Sequence, residues 1–262
     1  MKMQRLALFG GIYSNHRALA AALEDTARRG VDGVYCLGDL GAFGPHPDRV
    51  FPLLHRAGVQ TIQGNYDNSL ALGLPDCQCG YTDPRDNYFA RLSYDYTFRN
   101  TSEENKSWLG TLPSTLRLEI DGMRVLLAHG SPRKMNEFLW ESTSPDPFLN
   151  YLLDEAQADV LCVTHTGIKW HRALADGRHV VNVGVLGRPE NDGTTHVWYT
   201  LLTVASSSVT VEFVPVVYGH LALGDDMRAE RLPLEFIETI VTGWWTTCLE
   251  ILPHKERARG RF

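Results

Sequence analysis

The sequence predicts an α/β fold in which two mixed β-sheets pack face to face with helices outside. Three observations carry that prediction. The first third alternates short apolar runs with helical periodicity, the mark of a parallel sheet with helical crossovers. The later part holds apolar runs joined in pairs by Asp-Gly turns, which imply antiparallel pairing. A chain of 262 residues, 44% hydrophobic and 21% charged, supplies a core large enough for such layers.

Leu6 to Phe9 reads as the first strand, and the polar turn FGGIYSN ends it. Asn15 to Arg29 reads as a helix, with Leu19, Ala22 and Leu23 on one face and Gly30 as its stop. Val34 to Leu37 is a short buried strand, Asp48 to Ala57 a helix, and Val59 to Gln63 a strand. Asn65 to Pro84 reads as a long loop broken by Gly73, Pro75, Gly80 and Pro84. Helices are expected near Asp86 to Tyr96 and Ser102 to Leu109. LRLEIDGMRVLLAHG is a hairpin turning at Asp121-Gly122, ADVLCVTH a buried strand, and WHRALADGRHVVNVG a second hairpin turning at Asp176-Gly177. HVWYTLLTV and VTVEFVPVV pair across Ser206 to Ser208.

Residues 219–262 form a C-terminal helical extension to the 1–218 domain. LPLEFIETIVTGWWTTCLEILPHKER reads as a broken amphipathic helix with Leu234, Ile237, Ile240, Val241, Trp244, Trp245 and Leu249 as its stripe. Such a stripe packs on the parent domain; a homo-oligomer contact or a lid over the site is the alternative.

Net charge is −6, so the bulk field attracts neither nucleic acid nor an anionic membrane. No apolar run approaches the ~20 residues that span a bilayer. The start, MKMQRLALFGG, lacks the long apolar core and cleavage site of a signal peptide. Five cysteines, an odd count, point to reduced thiols and a cytoplasmic protein.

Four strand ends carry metal-binding groups: Asp39 in CLGDL, Asn65 and Asp67 in IQGNYD, His129 in LLAHGSP and His165 in CVTHTG. Two His, one Asp and one Asn suit a divalent or trivalent transition ion such as zinc, iron or manganese. The neutral Asn leaves net positive charge for a phosphate. Cys77 and Cys79, in the long loop after GNYD, are candidate soft ligands or a redox pair; two loop thiols with no such role is the plainer alternative.

These motifs resemble the calcineurin-like metallophosphoesterases, closest to the small prokaryotic phosphodiesterase branch, over roughly residues 1–215. That family carries Asp-x-His, Gly-Asp, Gly-Asn-His-Asp, a lone His before Gly, and Gly-His-x-His. Here the positions read Gly11-Ile12-Tyr13, Gly38-Asp39, Gly64-Asn65-Tyr66-Asp67, His129-Gly130 and Thr164-His165-Thr166-Gly167. The resemblance implies an αββα sandwich and a metal-dependent hydrolase of phosphomonoesters or phosphodiesters. Its partner would be a small phosphorylated substrate.

By the same resemblance, one metal keeps its whole set: Asp39, Asn65, His129 and His165. The three ligands private to the other stand as Gly11, Tyr13 and Gly167. A single-metal site is therefore implied, with Tyr13 open as a phenolate ligand to ferric iron. The family's acid histidine is Tyr66, which Asp67 would orient, and Lys169 or Arg188 would restore lost positive charge. A catalytically silent binding or scaffold protein is a second reading, and redox or lyase chemistry at Cys77 and Cys79 a third.

Overall fold

In the first strand, β1 (Gln4–Phe9), alternate residues face opposite ways, and that sorts the core. Leu6 and Leu8 point into an inner layer, while Ala7 and Phe9 point to an outer one. The structure, a computed structural model, describes residues 3–205 and 208–260. After β1 come α1 (His16–Arg29), β2 (Gly33–Cys36), α2 (Phe51–Ala57), β3 (Gln60–Thr61), α3 (Asn65–Leu72), α4 (Pro84–Asn100) and α5 (Glu103–Leu109). Next are β4 (Thr115–Ile120), β5 (Met123–Ala128), α6 (Asp146–Ala156), β6 (Val160–Val163), β7 (Trp170–Ala173), β8 (His179–Asn182), β9 (Val197–Ala205) and β10 (Ser208–Val216). The chain closes with α7 (His220–Ala229), α8 (Leu234–Thr242) and α9 (His254–Arg257).

Two five-stranded sheets result, in the orders β10-β9-β1-β2-β3 and β4-β5-β6-β8-β7. Both are mixed, as predicted. β1, β2 and β3 run parallel, as do β5, β6 and β8, and the hairpin partners run antiparallel. Leu8, Leu37, Val125, Leu127, Val160, Val181 and Leu202 fill the layer between the sheets. Burying each such side chain contributes about 1.5–3 kcal/mol. Helices cover the outer faces: Leu19 and Ala22 of α1 on Phe9, and Leu149, Leu152 and Leu153 of α6 on Leu126 and Leu161. The carboxyl ends of the parallel strands lead into Gly10–Asn15, Leu37–Asp39, Ile62–Asn65, His129 and His165, which is where such sheets hold ligands.

Several elements differ from expectation. The 65–84 segment opens with α3, because Gly64 starts it in extended backbone and Asp67, at its third position, accepts the Gly64 N–H at 2.9 Å. Gly73, read as a loop breaker, is its left-handed C-cap. The expected helix from Asp48 is a 3₁₀ turn, Pro47–Arg49, followed by α2. α4 runs longer than predicted, from the Asp83 cap and Pro84 to Asn100. α7 opens the 219–262 segment that was expected to be helical, ahead of the stripe picked out from Leu234 onward. β9 and β10 pair from Ala205 and Ser208 outward; residues 206–207 of their turn lie outside the described residues.

The C-terminal stripe is corrected most. Gly243 ends α8 in the left-handed region, so Trp244, Trp245 and Leu249 are not on that helix. Phe236, Ile237 and Ile240 join the outer core beside α1, with Leu223 and Met227 of α7, while Leu234 is exposed. Trp245 instead joins Trp140, Ile168 and Leu252 in a small separate cluster. Among the described residues no helix is long and apolar enough to cross a membrane.

Candidate metal centre

Asp39, His129 and His165 come together from three strand ends, with one ligand atom of each within 4.8 Å of the others. All three are buried. His129 Nδ1 lies 2.6 Å from the Leu37 carbonyl oxygen and His165 Nε2 lies 3.2 Å from that of Cys79. A carbonyl only accepts, so each of these nitrogens carries the proton. The remaining nitrogens, His129 Nε2 and His165 Nδ1, then face each other as lone pairs at 3.2 Å. Asp39 Oδ2 stands 3.3 Å from His129 Nε2, while its Oδ1 accepts the Tyr66 N–H at 3.0 Å. Three electron-pair donors around one point form a possible cation site.

Asn65 is held by the same 77–79 loop whose Cys79 carbonyl meets His165. Its amide nitrogen donates to the Cys77 carbonyl at 2.8 Å and approaches Cys79 Sγ at 3.4 Å. Its Oδ1 is buried with no hydrogen-bond partner. Such an orphaned acceptor is costly unless something binds it. Two imidazoles, a carboxylate and an amide oxygen suit a transition ion, with the outer imidazole nitrogens held as metal-site histidines are.

The titration pattern follows. Burial works against His129 as a cation, yet the Asp39 carboxylate and the Leu37 carbonyl outweigh it and raise its pKa. Burial also opposes charge on Asp39, but His129 draws its pKa below the usual carboxylate range. His165, desolvated and repelled by His129, falls to about 3.

The loop geometry is strained where it matters. Asp39 and His165 have φ of 57° and 70°, in the left-handed region that non-glycine residues seldom adopt. Asp67 stabilises the first of these turns. It is fully buried and accepts the N–H groups of Asp39 at 2.7 Å, Leu40 at 3.0 Å and Gly64 at 2.9 Å. Burial and the Asp39 charge push its pKa up to about 7, against those donors. The expectation that Asp67 orients Tyr66 is thereby corrected. The Tyr66 hydroxyl donates to Ser93 Oγ at 3.0 Å, and burial keeps it protonated.

A small cavity adjoins the centre and is lined by Asp39, His165, Tyr13, Phe43, Tyr66, Tyr81, Arg188 and Cys248. A family model of the calcineurin-like phosphoesterase superfamily domain matches residues 5–207. The chain belongs to that superfamily. An uncharacterized protein of Methanocaldococcus jannaschii is 25% identical over 250 residues, covering 89% of this chain and 96% of its own. Two solved structures share the fold. A hypothetical protein from Pyrococcus horikoshii aligns with a TM-score of 0.76 at 23% identity, covering 92% of this chain and 99% of its own. A metallophosphoesterase from Sphaerobacter thermophilus aligns at 0.68 and 24%, covering 92% and 100%.

At the two glycines that stand at superfamily ligand positions, large side chains fill the adjoining space. A Cβ on Gly11 would sit 2.5 Å from the Tyr13 ring, so that ring occupies the space of a side chain at 11. Gly167 has φ of 80°, and a Cβ there would meet Trp245 at 3.0 Å and Arg188 at 3.1 Å. Burial and the nearby Asp39 carboxylate raise the Tyr13 pKa, which disfavours the phenolate that iron ligation requires. Lys169 is not in the cavity; it pairs with Glu190 at 2.6 Å and lies over the Trp198 ring. Sequence reasoning paired it with Arg188 on charge alone.

Cys77 and Cys79 form a disulfide, which corrects both the expectation of reduced thiols throughout and that of thiolate ligands. Cys36, Cys162 and Cys248 are free. The 77–79 loop still serves the centre, since its backbone carbonyls hold Asn65 and His165. That service is invisible in side-chain chemistry, and so in the sequence.

Proposed function

We propose that the protein is a metal-dependent phosphoesterase that works with one firmly held ion, hydrolysing a small phosphomonoester or phosphodiester. The convergence of Asp39, His129 and His165, with both outer imidazole nitrogens already committed to carbonyls, is the observation that supports it best. Asp39, Asn65, His129 and His165 would hold the ion, zinc, iron or manganese by the nature of the donors. When bound, such an ion polarises a phosphoryl oxygen and lowers the pKa of water. Leu37 and Cys79 fix the imidazole tautomers, and Asp67 fixes the Asp39 turn. Tyr66 lines the cavity as a protonated phenol and would donate a hydrogen bond to the leaving oxygen, turning from Ser93 to do so.

Protein purified without chelators should carry about one equivalent of metal by elemental analysis, as one intact ligand set implies. It should hydrolyse p-nitrophenyl phosphate or bis-p-nitrophenyl phosphate, and His165→Ala should remove both metal and activity. Activity that survives His165→Ala overturns the mechanism. Silence on both esters with zinc, manganese and iron would leave a binding role.

A further inference from the structure

We infer that Arg188, stacked on Trp245, forms an oxyanion site beside the metal centre that receives a phosphoryl group of the substrate. This deepens the phosphoesterase reading and rests on it.

Arg188 is only 6% exposed, yet its guanidinium makes no hydrogen bond and no ion pair among the described residues. Its Nε is buried without a partner. An always-charged fork of five donors left in that state costs several kcal/mol, on the order of an unpaired buried ion. What holds it is aromatic. The guanidinium lies 3.6 Å from the Trp245 ring centroid and 5.5 Å from that of Phe43. Trp245 is itself locked, its indole N–H donating to the Pro189 carbonyl at 2.7 Å and its backbone N–H to Asn191 Oδ1 at 2.8 Å. Stacking fixes the plane of the cation and leaves its donors free. Those donors belong to the cavity that Asp39 and His165 also line.

The ligand class follows from the chemistry. A planar fork with unspent N–H groups matches a tetrahedral oxyanion, which it can bind in a bidentate manner. A carboxylate ligand would need less charge than an arginine and a metal ion together supply; a phosphoryl group carries enough for both. The position also explains Gly167. A side chain there would collide with Trp245 and Arg188. A side chain at 167 and the stacked arginine therefore compete for one space. Trp245 comes from the segment after α8, so the C-terminal extension completes the site.

The test is titration of inorganic phosphate into the metal-loaded protein, followed by calorimetry and by Trp fluorescence. Arg188→Met should weaken phosphate binding about tenfold or more, the scale of a lost charge-assisted contact, with metal content unchanged. Arg188→Lys should fall between. Phosphate binding by Arg188→Met equal to wild type overturns the inference, as does loss of metal together with phosphate. Wild-type protein that holds no metal but binds phosphate through Arg188 would sink the metal reading and keep the oxyanion site. Should Arg188→Met fail to fold, tungstate soaked into wild-type crystals decides: an anomalous peak beside the Arg188 guanidinium supports the site, and its absence there overturns it.

Discussion

The two halves of the cavity make opposite use of charge. On one side, Asp39, Asn65, His129 and His165 gather lone pairs that have no cation among the protein's own groups. On the other, Tyr13, Gly11 and Gly167 leave room that an aromatic ring and an arginine occupy. One half offers a possible cation site, and the other holds the Arg188 cation. On the single-metal reading proposed above, the difference teaches that a site losing ligands would not simply empty. Side chains beside Gly11 and Gly167 already take up the space that larger residues there would need.

The division breaks most visibly at the centre of the retained half. His165→Ala should lower metal affinity about a hundredfold or more, beyond what removing an outer partner of a ligand costs. Tyr13→Phe should leave metal content unchanged. Elemental analysis of both variants tests the contrast, and equal losses would erase it.

Asp67 supports the retained half from behind. Asp67→Ala leaves three buried N–H groups without acceptors, at roughly 3–5 kcal/mol in total. Urea unfolding measures this. A change below 1 kcal/mol, no more than one ordinary hydrogen bond, would show that the turn at Asp39 holds without it.

Gly167→His probes the Arg188 half. With φ of 80° and Trp245 in contact, the substitution should cost roughly 1–3 kcal/mol in thermal unfolding. It should also fail to raise metal content above the wild-type value. A second equivalent of metal would mean that Trp245 and Arg188 yield readily, and that the halves differ less than their packing implies.

The smallest effect is a dependence on pH. His129 has a raised pKa, so a proton competes with the ion to above the usual histidine range, whereas His165 at about 3 stays neutral. Apparent metal affinity should fall about tenfold per unit as pH drops below the His129 pKa, and level off above it. Competition titrations with a chromophoric chelator give the slope. A fall near a hundredfold per unit would mean two protons are displaced, which a His165 pKa of about 3 forbids.

The strand ends were legible because a polar residue after an apolar run announces itself. Asp39, Asn65, His129 and His165 needed no long-range knowledge to be nominated. What could not be read was who serves them. Asp67 looks like a partner for its neighbour Tyr66, and only folding brings the Asp39 and Leu40 N–H groups to it. Lys169 and Arg188 are both cations near matched motifs; Glu190 claims one, and no carboxylate claims the other. α3 was missed because glycines at both ends of eight residues look like a loop, although they cap a helix. Trp244 and Trp245 extend a helical stripe on paper, yet Gly243 turns the chain away and carries Trp245 to Arg188.

The left-handed backbone at positions 39 and 165 bears on how this chain would respond to selection for heat resistance. Glycine relaxes such a conformation by removing the Cβ. At 165 that exchange would ease the main chain while discarding a candidate ligand. A search for thermotolerant variants would thus meet a conflict there, since the residue best for durability is the one that abolishes the chemistry.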